Sequence, residues 1–129
     1  METIKSQVDY WKEGAVSDLE TAEILIKKMK LKEGLFFCHL TIEKLLKAIY
    51  VNLFKDNAPK THRLFYFIEK CNIEPDEDTI NFLGVLMKYQ LEGRYPDYDP
   101  GTITKMKANE YLQKTKGLFT WLTAKLQSL

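Results

Sequence analysis

The sequence predicts an all-α protein, an up-and-down four-helix bundle with one additional short helix. Three observations lead there: apolar residues recur at steps of three and four along most of the chain, no segment shows the strict alternation of a half-buried strand, and the connections between periodic segments are short. Short connections between long helices make chain neighbours antiparallel. At 129 residues the chain can bury roughly two thirds of its unfolded surface, so one domain over residues 1–129 needs no disulfide or metal staple.

From Ile4 to Lys30, the residues Val8, Trp11, Ala15, Leu19, Ala22, Ile26 and Met29 form one apolar face of a long amphipathic helix. Its polar positions include Glu13, Ser17, Asp18, Glu20, Glu23, Lys27 and Lys28, with Glu20 or Glu23 in reach of Lys27. A short connection up to Gly34 overlaps the start of a second pattern, from about Glu33 to Phe54. That helix is apolar on most of its circumference and is expected to be the most buried.

Asp56-Asn57-Ala58-Pro59 stops the second helix, and Thr61 is the expected cap of a short, aromatic-rich third helix from His62 to Cys71. Pro75 and Asp76 open a fourth, whose first turn gathers Asp76, Glu77 and Asp78 where the positive helix end favours anions. It is expected to end near Glu92-Gly93. After Pro100-Gly101, with Thr102 as expected cap, Ile103, Met106, Tyr111, Leu112, Leu118, Leu122 and Leu126 mark a last long helix.

Charge and cysteine usage narrow the function classes. With 19 basic and 18 acidic residues the formal charge is +1, so no global field advertises a nucleic acid or a membrane, and any basic site must be local. Cys38 and Cys71 lack CxxC spacing and sit in apolar helical patterns, which suits buried reduced thiols. No apolar run approaches the roughly 18 residues of a membrane span, and the first residues lack an apolar signal core. A cytoplasmic protein is the expectation. Dinucleotide, P-loop, zinc-protease and nucleophile-elbow motifs do not occur, and Asp97 with Asp99 would make a poor metal cage, so neither cofactor nor metal is expected.

The densest polar segment is Gly93-Arg94-Tyr95-Pro96-Asp97-Tyr98-Asp99-Pro100. Arg94 and Arg63 are the two arginines among lysines, and a guanidinium holds phosphate or carboxylate through a planar fork. Pro96 and Pro100 restrict the backbone around them. Arg94 could pair with Asp97 or Asp99 while Tyr95 or Tyr98 offers a ring for stacking on a base, a contact worth about 1–3 kcal/mol. Two further sites stand out. On the second helix His39, Glu43 and Lys47 share one stripe with Lys44 beside it; this stripe is either an internal network that orients the bundle or a face that turns Lys44 and Lys47 toward an anion. At the start of the third helix Lys60, Thr61, His62 and Arg63 could converge on a phosphate.

Taken together, Phe37-Cys38-His39-Leu40-Thr41-Ile42-Glu43-Lys44-Leu45-Leu46-Lys47-Ala48, then Thr61-His62-Arg63-Leu64, then Gly93-Arg94-Tyr95-Pro96-Asp97 resemble the prokaryotic HEPN domain family over nearly the whole chain. The resemblance implies a helical bundle, a homodimer, and pairing with a separately encoded minimal nucleotidyltransferase in a toxin-antitoxin system. Some members are metal-independent ribonucleases whose motif is an arginine followed, after four to six residues, by a histidine. Here neither Arg63 nor Arg94 has a histidine in that window, the two histidines being His39 and His62.

The expected function is therefore a binding module, without catalytic residues, that recognises a nucleotide, RNA phosphate or a nucleotidyltransferase. Lys44, Lys47, His62, Arg94, Tyr95, Asp97 and Tyr98 are the candidate ligand-binding residues. One alternative is a metal-independent ribonuclease built from His62 and Arg94, the catalytic candidates in that case. The other is a structural interaction domain, in which internal salt bridges consume Arg94, Asp97 and the second-helix stripe.

Overall fold

The computed structural model describes residues 3–94 and 101–129, and of residues 91–94 the backbone alone. Four long helices and one short one follow in the order α1 (Ile4–Lys27), α2 (Leu31–Phe54), α3 (Leu64–Lys70), α4 (Glu77–Arg94) and α5 (Lys105–Gln127). No strand occurs among the described residues.

Helix α1 starts with a reciprocal capping box, Thr3 Oγ1 accepting from Ser6 N at 3.0 Å and Ser6 Oγ from Thr3 N at 2.9 Å. Residues 28–30 reverse the chain, with Met29 in the left-handed region (φ 66°). The close approach of α1 and α2 just beyond this turn depends on Gly34, where an added Cβ would stand 2.5 Å from Cγ1 of Ile26 and 3.2 Å from the Ala22 carbonyl oxygen.

As its composition predicts, α2 is the central helix. It packs against all four others, most extensively against α1. Leu35, Cys38, Ile42, Leu45, Leu46, Ala48 and Val51 are fully buried along it. The other elements close around this rod, α1 with Ala15, Ala22 and Ile26, α3 with Leu64 and Phe67, α4 with Leu83 and Leu86, α5 with Ala108 and Leu122. Burial of each large aliphatic or aromatic side chain contributes about 1.5–3 kcal/mol. The ion pair of Lys116 with Glu23, 2.8 Å long, joins α5 to α1 at the surface, and the hydrogen bond from Lys116 holds the Glu23 carboxyl below its ordinary range.

Three helix starts differ from expectation. The second helix begins at Leu31, inside the stretch up to Gly34 expected as a connection, the Gly34 N–H already donating to the Lys30 carbonyl at 2.9 Å. The third helix begins at Leu64 rather than His62, because the His62 carbonyl is engaged by α2 and the Tyr66 N–H turns instead to the Arg63 carbonyl at 3.1 Å. The last helix is capped by Thr104, whose Oγ1 accepts from Lys107 N at 3.1 Å, and not by Thr102. The fourth opens as expected, with Asp76 Oδ1 accepting from Thr79 N at 2.8 Å; the Thr79 hydrogen bonds lower the Asp76 pKa.

Candidate functional site

The polar stripe of α2 turns inward. His39 is fully buried, and Glu43 and Lys47 are 3 % and 6 % exposed. Three charged or titratable side chains on one face of a buried helix can persist only if each finds partners, because an isolated buried charge is strongly disfavoured.

Glu43 is the hub. Its Oε2 accepts from Lys47 Nζ at 3.1 Å, one turn further along α2. Both of its oxygens lie within reach of His62 Nδ1, at 3.2 and 3.1 Å. His39 Nδ1 stands 3.6 Å from Oε1. Lys47 Nζ also sits 5.0 Å from the centroid of the Trp11 ring, so α1 supplies an aromatic face to the ammonium that Glu43 neutralises.

His39 completes the arrangement from the other direction. Its Nε2 lies 3.2 Å from the His62 carbonyl oxygen, and since a carbonyl only accepts, that nitrogen carries the proton. Two residues one turn apart on α2 therefore grip His62, His39 by its backbone and Glu43 by its ring. The ring itself stays 44 % exposed. Exposed Lys60 and Arg63 flank it in the chain.

Lys44 belongs to a separate contact. Its Nζ pairs with Asp18 Oδ2 of α1 at 2.8 Å, and Asp18, read in the sequence as one polar position among many, is only 8 % exposed. Gly14 makes room for it, since a Cβ there would meet Lys44 Cδ at 3.0 Å. The ammonium groups of Lys44 and Lys47 thus both face carboxylates of the bundle.

Arg94 is the last residue of α4. Its side chain, and all of Tyr95, Asp97 and Tyr98, lie outside the described residues.

Glu43, His39, Trp11 and Asp18 take part in these contacts without being among the candidate ligand-binding residues. Glu43 carried a usable signal, an acid four residues from both a histidine and a lysine on an otherwise apolar helix. Asp18 carried none, because only the register of α1 on α2 sets it opposite Lys44.

Cys38 and Cys71 are free thiols, 0 % and 8 % exposed, and burial pushes each from 9.0 up to about 11. Among the described residues no group of three or more His, Cys, Asp and Glu side chains could hold a metal ion, and no helix is long and apolar enough to cross a membrane. A cleft of about 490 Å³ lies elsewhere, between the start of α4 and α5, with Asp76, Asp78, Phe82, Lys114 and Trp121 in its wall. It shares no lining residue with the Glu43 network.

Comparison with known proteins bears on fold and family. A family model described as HEPN domain matches residues 8–126. The crystal structure of TT1696 from Thermus thermophilus superposes with a TM-score of 0.77 at 21% identity, covering 92% of this chain and 98% of that one. That of ST0689, described as an archaeal HEPN homologue, gives 0.74 at 21% identity and covers 98% and 99%. No curated protein matches the chain.

Proposed function

The chain belongs to the HEPN domain family, and from that premise we propose that it is a nucleotide- or RNA-binding module and the partner of a minimal nucleotidyltransferase in a two-component, toxin-antitoxin-like system. The observation that carries the reading is His62, a half-exposed imidazole held at Nδ1 by a buried carboxylate. An imidazole fixed in this way can donate to a phosphate oxygen when charged and accept from a ribose hydroxyl when neutral. Lys60 and Arg63 add positive charge beside it in the chain, and charge of that sign near a phosphate raises affinity in a salt-dependent way. In the proposal Arg94 supplies a bidentate fork, Asp97 orients it, and Tyr95 and Tyr98 offer stacking faces. Lys44 and Lys47 act on the ligand through the carboxylates they pair with, Asp18 and Glu43. The module works as a homodimer in the cytoplasm of a prokaryotic cell.

Fluorescence anisotropy with a labelled single-stranded RNA and with nucleotides tests this, alongside co-purification with the product of any adjacent nucleotidyltransferase gene. Arg94→Ala and His62→Ala are expected to weaken binding while the helical circular-dichroism signal is kept. Unchanged binding to RNA, nucleotides and the partner in both variants would sink the proposal.

The Glu43–His62 contact also favours a second reading. A carboxylate behind an imidazole is the arrangement that lets histidine move protons, so a metal-independent ribonuclease using His62 as acid or base and Arg94 at the phosphate is the rival. RNA cleavage that survives chelator and disappears in His62→Ala would select it. The internal pairing of Lys44 with Asp18 and of Lys47 with Glu43 favours a third reading, a structural interaction domain. That one predicts no RNA or nucleotide binding at all.

A further inference from the structure

We infer that Glu43 is a positioning residue for His62, holding the imidazole as the Nδ1–H tautomer so that Nε2 is the nitrogen presented to the ligand. The inference rests on the reading of His62 as a ligand-binding residue and specifies how that site is built.

A carboxylate oxygen only accepts, and both oxygens of Glu43 lie 3.1–3.2 Å from His62 Nδ1, so the proton between them belongs to Nδ1. A lone pair on Nδ1 facing that carboxylate would be repelled instead. With Nδ1 protonated, Nε2 of the neutral ring carries the lone pair, and among the described residues it makes no hydrogen bond.

The support behind Glu43 is stiff. Its side chain is 4 % exposed, on the central helix, and Lys47 anchors Oε2 from the next turn. The loop cannot readily carry the ring away, because His39 Nε2–H holds the His62 carbonyl at 3.2 Å. A histidine on an otherwise solvated loop would sample many rotamers and favour the Nε2–H form. Here the bundle selects one rotamer and one tautomer, and that ordering is complete before any ligand arrives.

Long-range proton–nitrogen NMR of the ring nitrogens, at mildly alkaline pH, reads the tautomer in the unmodified full-length protein. The expected result is a protonated Nδ1 and a bare Nε2 for His62; a proton on Nε2 overturns the inference outright. Two variants then connect tautomer to binding. Lys47→Met keeps the carboxylate, whereas Glu43→Leu combined with Lys47→Met replaces the buried pair by apolar groups, an exchange that bundles often tolerate. The double variant is expected to lose the Nδ1–H signature and to bind a fluorescein-labelled single-stranded RNA on the order of tenfold more weakly than Lys47→Met alone.

His62→Ala separates the two levels. If it weakens RNA binding while the double variant binds as Lys47→Met does, the positioning role is wrong and the ligand-binding role of His62 stands. If it leaves RNA binding intact, both fall together.

Discussion

Lys44 Nζ lies 2.8 Å from Oδ2 of Asp18, so the one lysine of the α2 stripe that leans away from Glu43 is held by a carboxylate of α1. The contact is mostly out of water, with side-chain exposures of 28 % and 11 %, and it bridges the two helices that share the largest interface.

Removing this carboxylate is expected to cost stability without destroying the fold. Asp18→Asn keeps the shape and loses the charge of the ion pair. Because Lys44 is partly in solvent, a loss of about 1 kcal/mol is expected. Urea unfolding checks it, and an unshifted midpoint would contradict the role assigned to the pair.

Glu43 and Lys47 are expected to differ sharply although they are partners. Lys47→Met leaves Glu43 with His62 Nδ1 at 3.1 Å and should cost about 1–2 kcal/mol. Glu43→Ala leaves the Lys47 side chain, 7 % exposed, with no other carboxylate beside its ammonium among the described residues, and should cost about 3–5 kcal/mol. Equal losses in chemical denaturation would show that Glu43 is not the hub.

Gly34→Ala is expected to destabilise the chain despite the better helix propensity of alanine. The gain from propensity is at most about 1 kcal/mol. Against it, the new methyl group would meet Ile26 Cγ1 at 2.5 Å and the Ala22 carbonyl oxygen at 3.2 Å, and the backbone atom cannot rotate away. Overpacking of this kind costs about 1–3 kcal/mol, so a net loss in thermal melts is expected, and a gain would show that α1 and α2 can part there without penalty.

The two thiols set an alkaline limit. Both are raised on folding, from 9.0 to about 11, by burial. A raised pKa means the folded state keeps its proton longer than the unfolded one, so the contribution is fully present below about pH 9 and is lost as pH climbs toward 11. Between those values each thiol is expected to remove roughly 1.4 kcal/mol of stability per pH unit. Cys38→Ala and Cys71→Ala should flatten that slope. In the native protein at neutral pH, thiol reagents should react slowly with both, and faster with Cys71, 8 % exposed, than with fully buried Cys38.

How much of the site was legible depends on where each partner comes from. His39, Glu43 and Lys47 are four apart on one helix, so their alignment follows from 3.6 residues per turn alone. The contact of Glu43 with His62 joins residues 19 apart, across a loop that no periodicity describes. Helix starts failed for a related reason. Thr102 and Thr104 are equally good caps as residues, whereas Arg63, which stands before α3 in place of the expected cap Thr61, is a poor one and makes no side-chain cap bond; tertiary contacts such as the grip of His39 on the His62 carbonyl override the local preference.

By itself the sequence determined the fold class, the order of the helices, the central place of α2 and the presence of a polar stripe upon it, because hydrophobic periodicity and turn residues act over a few residues at a time. Only the tertiary structure decided which way that stripe faces and what it holds. A buried carboxylate must be matched by donors, and those donors, Lys47 from its own helix and His62 from a distant loop, with Trp11 facing Lys47 from α1, come together only once the bundle has closed.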